Sequence, residues 1–459
     1  MKYIITAAAL LAATVVADKR DLCSDGSTDD GGNWYCQEVE AITYTGVGGK
    51  GSFNKVTSMD SSGTCGSSPF DYSGSMSPLD QELSFHFRGP IQLKQFAVYT
   101  PSGSSSKARR SDTHERRHAH GHGHAHLHHA RDAAVGEMVT ATIDGVVQSW
   151  INEYSGVATS APAAAPAEPS SDAATTTVAA AANYVAPSSS SSESSASASP
   201  SSASGSISSS SGGWGRQAYY DSSAGKSDGL VFLNHEGGSG SGVFDYTYGN
   251  SLSFASADGK SGAATAQTLD DCTLASDDEI VIMSDKECSG DDCGFYRDGT
   301  VAYHGFDGPA KAFFFEFQMP TTGETAASQY DPVDMPAIWS LNALIPRTLQ
   351  YGAADCSCWT SGCGEFDLFE VLAAGDQRMK STLHGNIAGG DSDYFKRPSD
   401  APIKAAMILY NDNIHLKLLD PSTEFGSNMS ADDINDICDS TLSQTDKVSL
   451  FALAGALSG

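Results

Sequence analysis

The chain has 459 residues, with 56 acidic and 27 basic side chains and a formal net charge of −29. That length is more than one compact unit needs and points to about two or three domains. The acidic balance excludes a nucleic-acid binder, which needs a basic footprint. Most of the charge lies in residues 212–459, with 36 acidic and 14 basic side chains and a net of −22.

Residues 1–17 read as a secretory signal: Lys2, an apolar stretch through Ala13, then Val15 and Ala17 as small residues at a cleavage point. The stretch is too short to span a bilayer and runs at once into Asp18-Lys19-Arg20, whose basic pair fits a second, dibasic processing site. No later segment reads as membrane-spanning, and the apolar end Val448–Gly459 lacks the pattern of a lipid anchor. The expectation is a secreted, extracellular protein without a membrane anchor.

Export makes the ten cysteines disulfide candidates. Cys23, Cys36 and Cys65 lie near the N-terminus; Cys272, Cys288, Cys293, Cys356, Cys358, Cys363 and Cys438 lie after residue 270. Both groups are odd in number, so either one bridge joins the regions or each keeps a free thiol. Zinc at Cys356, Cys358 and Cys363 ranks well behind disulfides, because no second ligand cluster stands at a usual spacing.

Residues 21–154 read as a glycine-rich β domain, a smaller N-terminal sandwich. Its strand signals are Glu38–Thr45, Glu82–Phe87 and Ile91–Tyr99, with companion strands at Glu137–Trp150. A low-complexity insert at 102–132 interrupts it, with paired arginines and the histidine run His118–His129. Such a run can chelate divalent metal; the favoured reading is a loop whose histidines bind metal only incidentally. Residues 155–212 are a Ser/Ala/Thr/Pro linker too poor in apolar residues to bury a core, and read as a disordered stalk between independent units.

From 213 to 459 the pattern is again all-β. Leu230–Leu233, Glu279–Met283, Ala312–Gln318, Ile338–Leu341, Thr382–His384, Ala405–Tyr410 and Ile414–Leu419 are short strands between turn residues; Ala431–Ile437 is one short helical candidate. The expected fold is a β-jelly-roll, a concanavalin-like sandwich. Asn428-Met429-Ser430 is an N-glycosylation sequon.

The most informative segment is Gly364-Glu365-Phe366-Asp367-Leu368-Phe369-Glu370. On a regular strand Glu365 and Asp367 share one face while Glu370 points to the other. Bringing all three together requires a β-bulge between Asp367 and Glu370. Two glutamates converging on one face are the equipment of retaining glycoside hydrolysis, which needs its carboxyl groups about 5–5.5 Å apart. An exposed strand with incidental acids would not also carry Phe366, Leu368, Phe369, Val371 and Leu372.

This spacing resembles the Glu-x-Asp-x-x-Glu signature of laminarinase-like enzymes, the bulged branch of glycoside hydrolase family 16. With the lead-in Cys356-Ser357-Cys358-Trp359-Thr360-Ser361-Gly362-Cys363, the chain is similar to fungal cell-wall endo-β-1,3-glucanase-like proteins of the Target-of-SBF family. The resemblance covers the N-terminal region and residues 212–459, not the low-complexity segments between them. It implies Glu365 as nucleophile, Glu370 as acid/base and Asp367 as the group that orients Glu365 and raises its neighbour's proton affinity. It also implies Trp339, Asn342, Trp359 and His384 as substrate-binding residues. Trp339 reads equally as a core residue, and Asn342 and His384 have structural alternatives. Phe366 stands where the family commonly has Ile or Val, and faces the core in this reading. The implied partner is β-1,3-glucan of the cell wall, handled by a monomer without cofactor or metal. A transglucosylase remodelling glucan, and a non-catalytic glucan-binding wall protein, remain open alternatives.

Overall fold

The computed structural model describes residues 27–30, 33–102, 138–143, 146–151, 213–237, 240–326, 332–443 and 445–453. The stretch read as a signal, the histidine run and the Ser/Ala/Thr/Pro segment lie outside them. Two compact units are present, one of Met1–His114 with Ser210–Gly459, the other Glu115–Ser209. In the second unit, Met138–Ile143 and Val146–Ile151 pair as an antiparallel hairpin.

The first unit is built on β1 (Ala41–Thr45), β2 (Gly48–Met59), β3 (Cys65–Ser75), β4 (Leu83–Arg88), β5 (Gln92–Pro101), β6 (Trp214–Asp221), β7 (Leu230–Asn234) and β8 (Glu279–Ser284). It continues with β9 (Lys311–Gln318), β10 (Ala337–Asn342), β11 (Glu365–Glu370), β12 (Arg378–His384), β13 (Ile403–Tyr410), β14 (Asn413–Leu419) and β15 (Val448–Ala452). One large sheet runs β6-β5-β9-β13-β14-β1-β15, and the other runs β7-β8-β4-β10-β11-β12, each with short edge strands. The pairings are antiparallel except β1 with β15, where Val448 pairs with Ala41 in parallel.

Alternation explains the two layers. Leu83, Phe85 and Phe87 of β4 face Phe96 and Val98 of β5 and Phe313, Phe315 and Phe317 of β9 in one buried cluster. Phe85 sits 4.3 Å from Phe313, ring centre to ring centre. Burying one such side chain contributes about 1.5–3 kcal/mol. The other face of the first sheet (Ala97, Tyr99, Phe314, Ala406, Ile408) is covered by Ile434 and Cys438 of the helix Ala431–Leu442. That helix outruns the expected Ala431–Ile437 and begins at a capping box between Ser430 and Asp433. Among the described residues no helix is long and apolar enough to cross a membrane.

The all-β class is as expected, but the N-terminal strands do not form a sandwich of their own. β4 lies between β8 and β10, β5 between β6 and β9, and β1 between β14 and β15. The physical reason is burial: β4 is an apolar strand with both edges hydrogen-bonded, a position only a large sheet provides. Nor do residues 103–212 separate two sandwiches. The Ser102 amide donates to the Gly213 carbonyl at 2.7 Å, so this stretch leaves and re-enters the sheet at neighbouring residues.

Candidate active site

The acids sit on β11, at the outer face of the second sheet. Gly364, with φ of +109°, turns the preceding loop into the strand, a backbone conformation that L side chains avoid. Trp339 on β10 pairs with Asp367 but the adjacent Ile338 pairs with Phe369, leaving Leu368 as an extra residue. The partner on the other side agrees, with Asp367 opposite Thr382 and Glu370 opposite Lys380. This is the bulge that the acid spacing requires. It lets Phe366, Leu368 and Phe369 all enter the core. Phe366 packs edge-on against Tyr44 at 5.2 Å, on the core side as expected.

Every carboxyl of the trio is harder to ionise than usual. Burial, then the charge of Asp367, pushes Glu365 up to about 7. Burial, then the charge of Glu370, pushes Asp367 up to about 6. Burial also raises Glu370, against the opposing pull of Arg88. His384 goes the other way: burial disfavours its cation, but its bond to Asp367 and the nearby carboxylates overrule this and raise it to about 9. The site therefore holds an imidazolium among acids that compete for charge.

His384 and Trp359 both reach the acids, His384 at Asp367 rather than at Glu370. The His384 Nε2 lies 2.9 Å from Asp367 Oδ2, and the Trp359 indole N–H donates to Glu365 Oε2. Trp359 remains 46 % exposed, so its ring is open to a ligand. Trp339 lies on the same face but is 6 % exposed, stacked on His86 at 5.2 Å and packed with Phe53 and Tyr72. It stands beside Asp367, covered by the hairpin β2-β3, and is not an open platform. Asn342 is a correction. It is buried, its amide N–H groups donate to Gln81 Oε1 and the Cys363 carbonyl, and its oxygen accepts from the Leu344 amide. Both its donors anchor the chain, so none is left to give a sugar hydroxyl.

Several neighbours went unnoticed in the sequence. Arg88 of β4 lies 3.5 Å from Glu370 and donates to the Met335 carbonyl. The hairpin β2-β3 lays Phe53 and Tyr72 over Trp339 and Leu341, and Asn386 donates to Ser52 and Tyr72. The Cys65–Cys356 bridge ties that hairpin to the loop carrying Trp359, and Cys358–Cys363 closes the loop itself. Of the two sequence alternatives, a bridge between the regions is present, while Cys272 and Cys438 are free thiols. Cys288, Asp292, Cys293 and His304 also cluster, but the Cys288–Cys293 bridge removes both thiolates as metal ligands.

The family is decided by comparison with known proteins. The family model described as "Cell wall protein YJL171C/Tos1, C-terminal" matches residues 212–437, and its N-terminal counterpart matches residues 40–101. The chain is 42 % identical over 443 residues to a Candida albicans protein called "Probable circularly permuted 1,3-beta-glucanase TOS1", covering 90 % of this chain and 93 % of the relative. The chain belongs to the YJL171C/Tos1 cell wall protein family. Other relatives are a "Probable circularly permuted 1,3-beta-glucanase" of Arthroderma benhamiae, 42 % identical over 99 % of this chain and 100 % of its own length. The TOS1 protein of Saccharomyces cerevisiae is 42 % identical over 97 % of this chain and 98 % of its own. No solved structure matches the chain. Membership accounts for both matched segments, which in this Tos1-family chain supply strands to the same two sheets.

Proposed function

We propose that this Tos1-family protein is a secreted fungal cell-wall glycosidase that cleaves β-1,3-glucan internally with retention of configuration. The observation that carries the reading is the bulge in β11, which turns Glu365, Asp367 and Glu370 to one face. The names of its relatives, probable 1,3-beta-glucanases, support the substrate.

In this reading Glu365 is the nucleophile. The Trp359 N–H fixes Oε2 of its carboxylate, leaving Oε1 to attack the anomeric carbon. Glu370 protonates the departing glycosidic oxygen as the C–O bond breaks, and a glucosyl ester on Glu365 forms. Glu370 then takes a proton from water, which attacks the same carbon and releases Glu365. Burial raises the proton affinity of Glu370, the direction the first step needs, and Arg88 opposes it. Asp367, held by His384, orients Glu365 and discourages joint ionisation.

Mass analysis of products from defined β-1,3-gluco-oligosaccharides, with the Glu365→Gln protein as control, tests this. Shorter products that vanish in the control are the expected result. Products longer than the substrate would make the protein a transglucosylase. Binding without turnover would leave a non-catalytic glucan-binding wall protein.

A further inference from the structure

Away from the trio, the same sheet face carries a second polar group that this mechanism leaves unused. Glu279 of β8 pairs with Arg88 of β4, Arg88 with Ala337 of β10, and Ala337 with Glu370 of β11. Glu279 therefore lies in one cross-strand row with Glu370, three strand spacings or about 14 Å away. Its carboxylate accepts from the Tyr351 hydroxyl at 2.6 Å and from Gln350 Nε2 at 2.9 Å, and lies 3.2 Å from His86 Nδ1. Burial opposes its charge, but the bonds from His86 and Tyr351 hold it low, at about 2, so it is a fixed anion.

The consequence is the state of Tyr351. Its hydroxyl is tied down and the His235 ring meets it edge-on at 5.9 Å, yet the residue stays 59 % exposed. Trp359 repeats the arrangement at the other end of the same loop, with its indole N–H on Glu365 and its ring 46 % exposed. Between them, Cys356 pins the loop to Cys65. Two rings are thus immobilised by their polar tips with apolar surface left to solvent. That is how an amphipathic aromatic presents a face to a flat, C–H-rich partner, with its ordering entropy already spent.

We propose that Tyr351 is a remote sugar-binding platform on the same sheet face as the acids, taking a glucosyl unit of a β-1,3-glucan chain whose scissile bond lies at Glu370. This rests on the glucan reading above and adds a preference for long chains.

The test uses full-length protein carrying Glu365→Gln, so that ligand is not consumed. Calorimetry compares its affinity for β-1,3-linked glucotriose and glucohexaose, with and without Tyr351→Ala or Tyr351→Phe, and a thermal melt checks each fold. The expected result is tighter binding of the hexasaccharide, with Tyr351→Ala weakening it about tenfold, the scale of one aromatic contact. The preference over the trisaccharide then collapses, while Tyr351→Phe, which keeps the ring, retains most of it. Equal affinity for both lengths, or a hexasaccharide affinity indifferent to Tyr351→Ala, overturns the platform even if the wild type hydrolyses glucan. Tyr351-dependent binding without wild-type turnover sustains the platform and sinks the hydrolase. Binding of neither sugar removes both.

Discussion

Cys65 and Cys356, 291 residues apart in the chain, are joined by a disulfide with their Cα atoms 5.1 Å apart. The bridge fastens the hairpin β2-β3 to the loop that delivers Trp359 to Glu365. Replacing both cysteines by serine should lower stability by about 2–5 kcal/mol, as loss of a native bridge does in secreted domains. Turnover at a temperature where the variant is still folded should fall further than stability alone predicts, because Trp359 loses its mooring. Thermal melts and initial rates on the same preparation check both; full activity in a folded variant would free the loop from any role.

The raised Glu365 pKa makes a stability prediction with a definite sign. Its carboxyl moves from the ordinary 4.5 to about 7 in the folded protein. Its contribution to stability is therefore complete below 4.5 and is lost as pH rises through 7. Glu365→Gln carries no charge to bury, so it should melt higher than wild type at pH 8, with the gap closing towards pH 4. The same substitution should cost about 10²–10⁴-fold or more in rate, the scale of losing one group that acts directly in the chemistry. A gap that widens on acidification would contradict the burial argument.

Two substitutions should shift the pH–rate profile in different ways. The His384 cation lowers all three carboxyls, so His384→Gln lets them rise further and carries both limbs, the ionisations of Glu365 and Glu370, to higher pH. Arg88 is the leading influence lowering Glu370 and a minor one on Asp367, so Arg88→Met should carry mainly the alkaline limb upward. Profiles of kcat/KM across pH 4 to 9 read both shifts. A parallel loss at every pH would mean that the two residues only hold structure.

The junction at Ser102 and Gly213 predicts that residues 103–212 can be removed. Pro101 already pairs with Trp214 in the antiparallel ladder, and the neighbouring Ser102 amide bonds to Gly213. An Asn-Gly pair in place of 103–212 closes β5 and β6 with a tight hairpin turn. The shortened protein should melt within a few degrees of the parent and retain its rate. Failure to fold would mean that the excised unit supports the two sheets.

Local pattern made part of this molecule legible. The alternation of Leu83, Phe85 and Phe87, and of Phe96 and Val98, marked central strands, and the spacing of Glu365, Asp367 and Glu370 demanded the bulge that is present. What stayed hidden is long-range. Nothing near Arg88 signals that it meets Glu370, since the pairing of β4 with β10 is decided by the assembled sheet. The hairpin β2-β3 is rich in Gly and Ser, and its few apolar residues, such as Phe53 and Tyr72, gain meaning only against Trp339. Composition also misplaced the boundary, since the low-complexity stretch looks like a divider while both its ends belong to one sheet. Asn342 shows the limit of carrying roles over by motif: the residue type fits a sugar contact, but its amide is spent on Gln81 and Cys363.

The most direct test of the central claim is to trap the glucosyl ester. An activated 2-deoxy-2-fluoro β-1,3-glucobiosyl reagent transfers its sugar to the nucleophile and releases its leaving group, while the fluorine slows hydrolysis of the ester. Peptide mapping by mass spectrometry then locates the label. The account predicts one fluorosugar per protein, esterified to Glu365 and absent from the Glu365→Gln protein. A label on Glu370 or Asp367, or no label in a protein that turns over glucan, would contradict it.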